Sequence, residues 1–244
     1  MSDLKQYLNV YEFTTKLPGS EKEVKYKGLS TNLVKKLLIF ENDKDILKEE
    51  KMLDFILNEV VISEINIDNM YVLDRYYLFI KIREATKGSL YQYQYTCPEC
   101  KSQSLQTIDL EKVKILKTKI TKKNRELKIL NGTITFIMEH PKRGLQKEVY
   151  NCIKKKQTDT EKKIEIQLAD IVSHITKVTT PNGDHELNYK ELIDFVGELP
   201  ETELDIIRKW QDDYYFGIDL KHTDICKGCG NEEERNIPVS NFFS

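Results

Sequence analysis

The chain has 244 residues, enough to bury a full core as one large domain or two small ones, so a bound metal is not needed merely to rescue a small scaffold. Its 38 basic and 40 acidic side chains leave a net charge of −2, which excludes a global field steering it toward nucleic acid or an anionic membrane. Residues 1–11 have no apolar core of a signal peptide, and no stretch approaches the roughly 18 apolar residues of a spanning helix, so a cytosolic protein without a membrane partner is expected.

In chain order, residues 11–29 read as extended, with Phe13, Leu17, a Pro18-Gly19-Ser20 turn and then alternation through Val24, Tyr26 and Gly28, which predicts a short hairpin. After the capping candidates Ser30 and Thr31, apolar residues at Leu33, Val34, Leu37, Leu38 and Ile39 predict one helix. Ile46, Leu47, Leu53, Ile56, Leu57 and Val60 predict a second. Asp68 is expected to cap a third, whose stripe Val72, Leu73, Tyr76, Phe79, Ile80 and Ile82 stops at Gly88.

From Ser89 the period changes. Leu90, Tyr91, Tyr93 and Tyr95 alternate with polar residues into Cys97-Pro98-Glu99-Cys100, and residues 105–110 offer a return strand. A basic run over residues 112–128 is interleaved with Val113, Ile115, Leu116 and Ile120 and predicts an amphipathic element with a solvated basic face. Asn131-Gly132 between two apolar runs predicts a hairpin. Residues 142–155 and 161–174 predict two helices with residues 157–163 as a loop, then a strand over 175–179 ending in Pro181-Asn182-Gly183-Asp184. Asn188 is expected to cap a helix over Leu192, Ile193, Phe195 and Val196. A longer helix follows through Leu204, Ile206, Ile207 and Trp210 to Tyr215, and residues 216–220 turn extended into Cys226-Lys227-Gly228-Cys229-Gly230. The fold class is therefore α+β, helices packed with short antiparallel hairpins. Its two similarly ordered halves, residues 1–110 and 111–244, each end in a Cys-x-x-Cys knuckle and are expected to form one integrated fold.

In a reducing cytosol, four of the five cysteines in two Cys-x-x-Cys pairs argue for metal ligation over disulfides, with Cys152 left over. A two-residue gap lets one tight turn aim two thiolates at the same ion, so Cys97, Cys100, Cys226 and Cys229 are the candidate ligands of a structural zinc. Gly228 and Gly230 relieve crowding where amides fold back toward sulfur, whereas the first turn has Lys101 in place of a trailing glycine. Because residues 101–225 separate the pairs, two separate ions completed by His222 or His140 remain an alternative to one shared site. Neither pair opens a helix as a redox pair would. No acid, base and nucleophile converge in sequence and no phosphate loop or dinucleotide fingerprint occurs, so no enzyme and no small-molecule substrate are expected. A nucleic-acid-binding zinc protein is the alternative reading, on the basic run and the Tyr91, Tyr93 and Tyr95 stripe. Surface charge or a bridge to Arg83 is the expected role of Asp68 and Asp74. The partner surface is expected at Phe242 and Phe243 and at Trp210, Tyr214 and Tyr215, unless the terminus docks on its own domain and the last three cover the zinc hairpin.

Taken together, Phe13 with Leu17-Pro18-Gly19-Ser20, the Arg83 to Gly88-Ser89-Leu90-Tyr91 segment leading through Tyr93 and Tyr95 into Cys97-Pro98-x-Cys100, and the late Cys226-x-x-Cys229 before Phe242-Phe243 resemble the T4-like bacteriophage baseplate proteins. These are hub subunits and hub-assembly factors of contractile tails. The resemblance implies a virion or tail-assembly protein that binds other baseplate subunits, either in the finished tail baseplate or in the host cytoplasm during assembly. The heavy use of Ile, Lys, Asn and Tyr is compatible with an AT-rich phage genome.

Overall fold

A computed structural model of the chain describes residues 11–41, 45, 47–153, 158–238 and 242–243. Alternation at the start gives a hairpin of β1 (Glu12–Lys16) and β2 (Glu23–Lys27), paired antiparallel from Glu12↔Lys27 to Lys16↔Glu23 around the Pro18-Gly19-Ser20 turn. Helices α1 (Thr31–Glu41) and α2 (Lys48–Val60) follow, with the Leu33 amide donating to Ser30 Oγ at 3.3 Å. Ile46, counted in the second helical run, lies outside the described residues.

Asp68 does not cap the third helix, α3 (Val72–Lys87): it lies four positions before Val72, too far back for its side chain to meet the first free amides. Asn66 instead caps a single 3-10 turn, Ile67–Asn69, accepting from the Asp68 amide at 2.9 Å, and the Asp68 carboxylate receives Lys147 Nζ at 2.6 Å.

Then come β3 (Leu90–Thr96), β4 (Gln103–Asp109), β5 (Ile115–Leu116), β6 (Glu126–Ile129) and β7 (Ile134–Met138). The basic run is thus no single amphipathic element. It breaks into a 3-10 turn at Leu110–Lys112, the two residues of β5 and the start of β6, since its β-branched residues favour short extended pieces. Between β6 and β7, Leu130, Asn131 and Gly132 take φ 51°, 55° and 82°, the left-handed backbone that makes Asn-Gly a hairpin signal.

Helices α4 (Arg143–Asn151) and α5 (Asp159–Val172) come next; Lys154 and Lys155, placed in the first of them by periodicity, lie outside the described residues. Helix α5 starts where a loop was expected, because Thr158 and Glu161 form a capping box: Glu161 Oε2 accepts from the Thr158 amide at 2.8 Å and Thr158 Oγ1 from the Glu161 amide at 3.3 Å. The chain continues with β8 (Ile175–Thr180), β9 (Gly183–His185), which periodicity did not reveal, α6 (Tyr189–Gly197) capped by Asn188, α7 (Glu201–Asp213), β10 (Gly217–Ile218), β11 (Lys221–Ile225) and β12 (Glu232–Asn236). Among the described residues no helix is long and apolar enough to cross a membrane.

The chain divides into two compact units, neither contiguous: residues 1–65, 74–116 and 217–244 form one, residues 66–73 and 117–216 the other. The first contains both cysteine pairs. Its central helix, α3, is buried on almost every side, so its charged residues need internal partners. Arg75 donates to Glu50 at 2.9 Å and to Asp54 at 2.5 Å, tying α3 to α2. Asp74 is fully buried and accepts from the amides of Gly19 at 2.7 Å and Ser20 at 2.9 Å, which holds the tip of the first hairpin on α3; it makes no bridge to Arg83. The second unit is a four-stranded antiparallel sheet in the order β6-β7-β8-β9 with α4 to α7. Its core is one apolar cluster, including Phe136, Met138, Val172, Ile193 and Trp210.

Candidate metal centre

Both cysteine pairs sit at hairpin tips of the same length. In the first hairpin, β3 pairs with β4 from Leu90↔Asp109 to Thr96↔Gln103, leaving residues 97–102 as the tip. In the second, β11 pairs with β12 from Lys221↔Asn236 to Ile225↔Glu232, leaving residues 226–231. The backbone is closed the same way in each. The Cys97 amide donates to the Ser102 carbonyl at 3.0 Å and the Lys101 amide to the Cys97 carbonyl at 3.1 Å; the Cys226 amide donates to Asn231 and the Gly230 amide to Cys226, both at 2.9 Å.

Face-to-face packing of the two hairpins brings the tips together. Period-two alternation puts Tyr91, Tyr93 and Tyr95 on the buried face of β3. The Tyr93 hydroxyl donates to Asp224, a fully buried carboxylate on β11; burial and that hydrogen bond push the phenol well above its usual range. Tyr91 donates to the Pro238 carbonyl at 2.7 Å, Gln106 Nε2 to the Ile225 carbonyl at 3.1 Å, and the Arg235 guanidinium lies 5.5 Å from the centre of the Tyr95 ring. The tyrosine stripe is consumed by this packing and offers no face to a nucleic-acid base.

The four sulfurs of Cys97, Cys100, Cys226 and Cys229 all lie within 4.8 Å of one another. Cys97 Sγ is 3.7 Å from Cys229 Sγ and Cys100 Sγ is 3.6 Å from Cys226 Sγ, so each contact joins one pair to the other. Disulfides, at about 2.05 Å, are far shorter. A tetrahedral ion with metal–sulfur bonds of about 2.3 Å has edges of about 3.8 Å, and the two closest contacts match that spacing. The site is therefore one cluster that could hold a metal ion, and neither candidate histidine belongs to it. His222 Nε2 lies 3.7 Å from Asp224 and His140 belongs to the other unit. Cys152, which donates to the Glu148 carbonyl at 3.6 Å, stands apart.

Donors already point at the sulfurs. Ser102 Oγ lies 3.0 Å from Cys100 Sγ and 3.2 Å from Cys226 Sγ, bridging the two tips, and the Gly228 amide donates to Cys226 Sγ at 3.4 Å. The Ser102 hydroxyl, with the Cys229 and Gly228 amides, lowers the Cys226 thiol to about 6, and Ser102 also lowers Cys100. At Cys229 the Asn231 amide favours the thiolate, but the crowding of Cys100, Cys226 and Cys97 outweighs it and raises the thiol to about 12. Four thiolates at this spacing repel, and a divalent cation removes the conflict. Ser102 and Asp224 carry no motif in sequence; only the position of Ser102, two residues beyond Cys100, hints at its part.

The residues expected at a partner surface are placed otherwise. Phe242 and Phe243 are buried in the first unit, Phe242 with its ring centre 4.6 Å from that of Tyr91 and both phenylalanines on Phe79 at 5.6 and 5.5 Å, because two adjacent phenylalanines gain more from that aromatic pocket than from water. Trp210 is buried in the second unit, packed on Tyr214 and His140 and donating Nε1 to the Asn124 carbonyl at 2.7 Å. Tyr214 and Tyr215 are half-buried, their carbonyls accepting from Thr118 Oγ1.

No curated protein and no solved structure matches the chain. The family model described as T4 bacteriophage base plate protein matches residues 9–244, nearly its whole length, and with it the resemblance carried by the two knuckles and the flanking motifs is explained: the chain belongs to the T4 bacteriophage base plate protein family.

Proposed function

We propose that this baseplate protein is a hub subunit or hub-assembly protein of a contractile tail that works through protein–protein contacts and carries one structural zinc. The observation that supports the zinc most directly is the cluster itself: four sulfurs from tips 126 positions apart in sequence, at tetrahedral spacing, with hydroxyl and amide donors aimed at them. Cys97, Cys100, Cys226 and Cys229 would hold the ion, and zinc bound there supplies a redox-inert crosslink between the two hairpins. An all-thiolate shell leaves no open position for water, which suits a structural role and no catalytic one.

Metal analysis of the purified full-length chain tests this: it should give close to one zinc per chain, and Cys226→Ser should lower both zinc content and melting temperature. Protein that is metal-free and melts unchanged in Cys226→Ser sinks the zinc. Copurification of the tagged chain from infected cells tests the hub reading, which requires stoichiometric association with baseplate subunits. The nucleic-acid alternative requires salt-dependent binding to DNA or RNA through the exposed lysines of residues 112–128; indifference to both at moderate ionic strength removes it.

A further inference from the structure

Among the described residues no strand pairs with the outer edge of β3 and no carboxylate pairs with Arg83, a cation beside that edge. Among the described residues strand β3 pairs with β4 alone, in a two-stranded sheet. The Leu110 amide donates to the Ser89 carbonyl and the Cys97 amide to the Ser102 carbonyl, which sets the odd-numbered residues of β3 as those facing β4. The N–H and C=O groups of Leu90, Gln92 and Gln94 therefore point away from the sheet, and among the described residues nothing bonds to them. A groove of about 770 Å³ beside this edge is lined by Arg83, by consecutive residues of β3 from Leu90 to Gln94, by Leu105 of β4 and by Pro238. Leu90 and Leu105, 62% and 51% exposed, give it apolar ground.

Arg83 is 6% exposed, lies with its guanidinium 5.7 Å from the centre of the Tyr91 ring and donates one N–H to the Gly88 carbonyl at 2.9 Å. Its Nε has no partner and, among the described residues, no carboxylate pairs with it. Buried arginines are normally matched by an acid, so this one is poised for a carboxylate from outside. An open strand edge supplies backbone hydrogen bonds to any extended chain.

We infer that the β3 edge is a docking site for an extended segment of another baseplate subunit, which adds a strand to β3, lays alternate apolar side chains on Leu90 and Leu105, and delivers an Asp or Glu carboxylate to Arg83. The inference rests on the reading of the protein as a subunit that works by protein contacts, and names where one such contact is made. The guanidinium selects an acidic segment, which argues against the phosphate backbone of a nucleic acid only in that a strand edge has nothing for bases to pair with.

The test uses the tagged full-length chain in phage-infected cells with the photo-crosslinker p-benzoylphenylalanine at Gln94. The expected crosslink falls on one segment of a baseplate subunit with alternating apolar residues and an Asp or Glu, and amides of residues 90–96 exchange at least tenfold more slowly in the isolated complex than in the free chain. Gln92→Pro removes an outward N–H without touching the β3–β4 ladder and should cut crosslink yield at least tenfold while leaving the melting temperature within a few degrees; Arg83→Leu should do the same. Gln92→Pro keeps the test decisive where Arg83→Leu fails to fold. Baseplate subunits that copurify but crosslink elsewhere, or equally well to Gln92→Pro, overturn the docking site and leave the hub reading standing. A crosslink to a second copy of this chain, to its own C-terminal residues or to nucleic acid also overturns it. Absence of any baseplate subunit from the purified material overturns both.

Discussion

Lys101 and Gly230 occupy the same place in their two knuckles, one residue past the second cysteine, and both take a left-handed backbone, φ 60° and φ 76°. The amide of each donates to the carbonyl of the first cysteine of its pair, so the knuckle geometry demands this backbone whatever the side chain. In Lys101 a Cβ bears the cost, on the order of 1 kcal/mol. Lys101→Gly is therefore expected to stabilise the metal-loaded protein by about 0.5–1 kcal/mol and Gly230→Ala to destabilise it by about 1 kcal/mol, read from denaturant midpoints at fixed metal concentration. Equal midpoints for Lys101→Gly and the parent chain contradict the strain.

Ser102 is the hydroxyl between the tips, and Gly228 makes room for it: a Cβ at Gly228 would lie 3.0 Å from Ser102 Oγ. Removing the hydroxyl in Ser102→Ala withdraws a donor from Cys100 and Cys226 and should weaken metal binding about 10- to 100-fold in a chelator competition. Gly228→Ala should weaken it as well, and much less once Ser102 is alanine, because the clash goes with the hydroxyl. Full additivity of the two changes would show that they act separately.

Asp74 joins the first hairpin to α3 through two amides, Gly19 and Ser20. Asp74→Ala leaves both donors with no acceptor inside the protein and should cost about 3 kcal/mol, while Asp74→Asn, which keeps one acceptor oxygen, should cost less. Thermal unfolding of the two variants measures this, and a neutral Asp74→Ala would mean that water replaces the carboxylate.

His140 and His174 are half-buried in the second unit with ring centres 6.1 Å apart, His140 against Phe216 and Trp210 and His174 near Gln211 and the Asp170 carbonyl. Burial lowers both to about 4, with the neighbouring imidazole adding to the effect at His140. A folded value below the unfolded one means that the unfolded chain binds more protons between about pH 6.5 and 4, so stability is complete above this window and falls as pH drops through it. The loss at pH 5 is on the order of 2 kcal/mol for each histidine. Denaturation midpoints from pH 7 to 4.5 should show that slope, and His174→Gln should flatten it; an identical slope in the variant would place the acid sensitivity elsewhere.

Local chemistry made much of the fold legible. Apolar spacing located α2 and α3, Asn188 announced α6, Asn131-Gly132 announced the β6–β7 turn and Tyr91, Tyr93 and Tyr95 announced the buried face of β3. Where the reading went astray, a second local rule competed. The Thr158 and Glu161 capping box starts α5 inside a polar stretch that reads as loop, and Asn66 caps a 3-10 turn that separates Asp68 from α3. The terminal phenylalanines read either as a partner surface or as a tip docked on its own domain, and nothing nearby in sequence shows the Phe79 and Tyr91 rings that cover them.

By itself the sequence determined the ligand types, their two-residue spacing and the hairpin that presents the first pair, because turns and strand alternation depend on a few neighbouring residues. Only the tertiary structure decided that the two tips converge on one cluster, that Ser102 bridges them, that Lys101 adopts a glycine's backbone and that no acid among the described residues pairs with Arg83. The convergence of the tips and the Ser102 bridge depend on contacts between residues more than a hundred positions apart, and the path of the chain that brings them together is set by the whole core rather than by any local pattern.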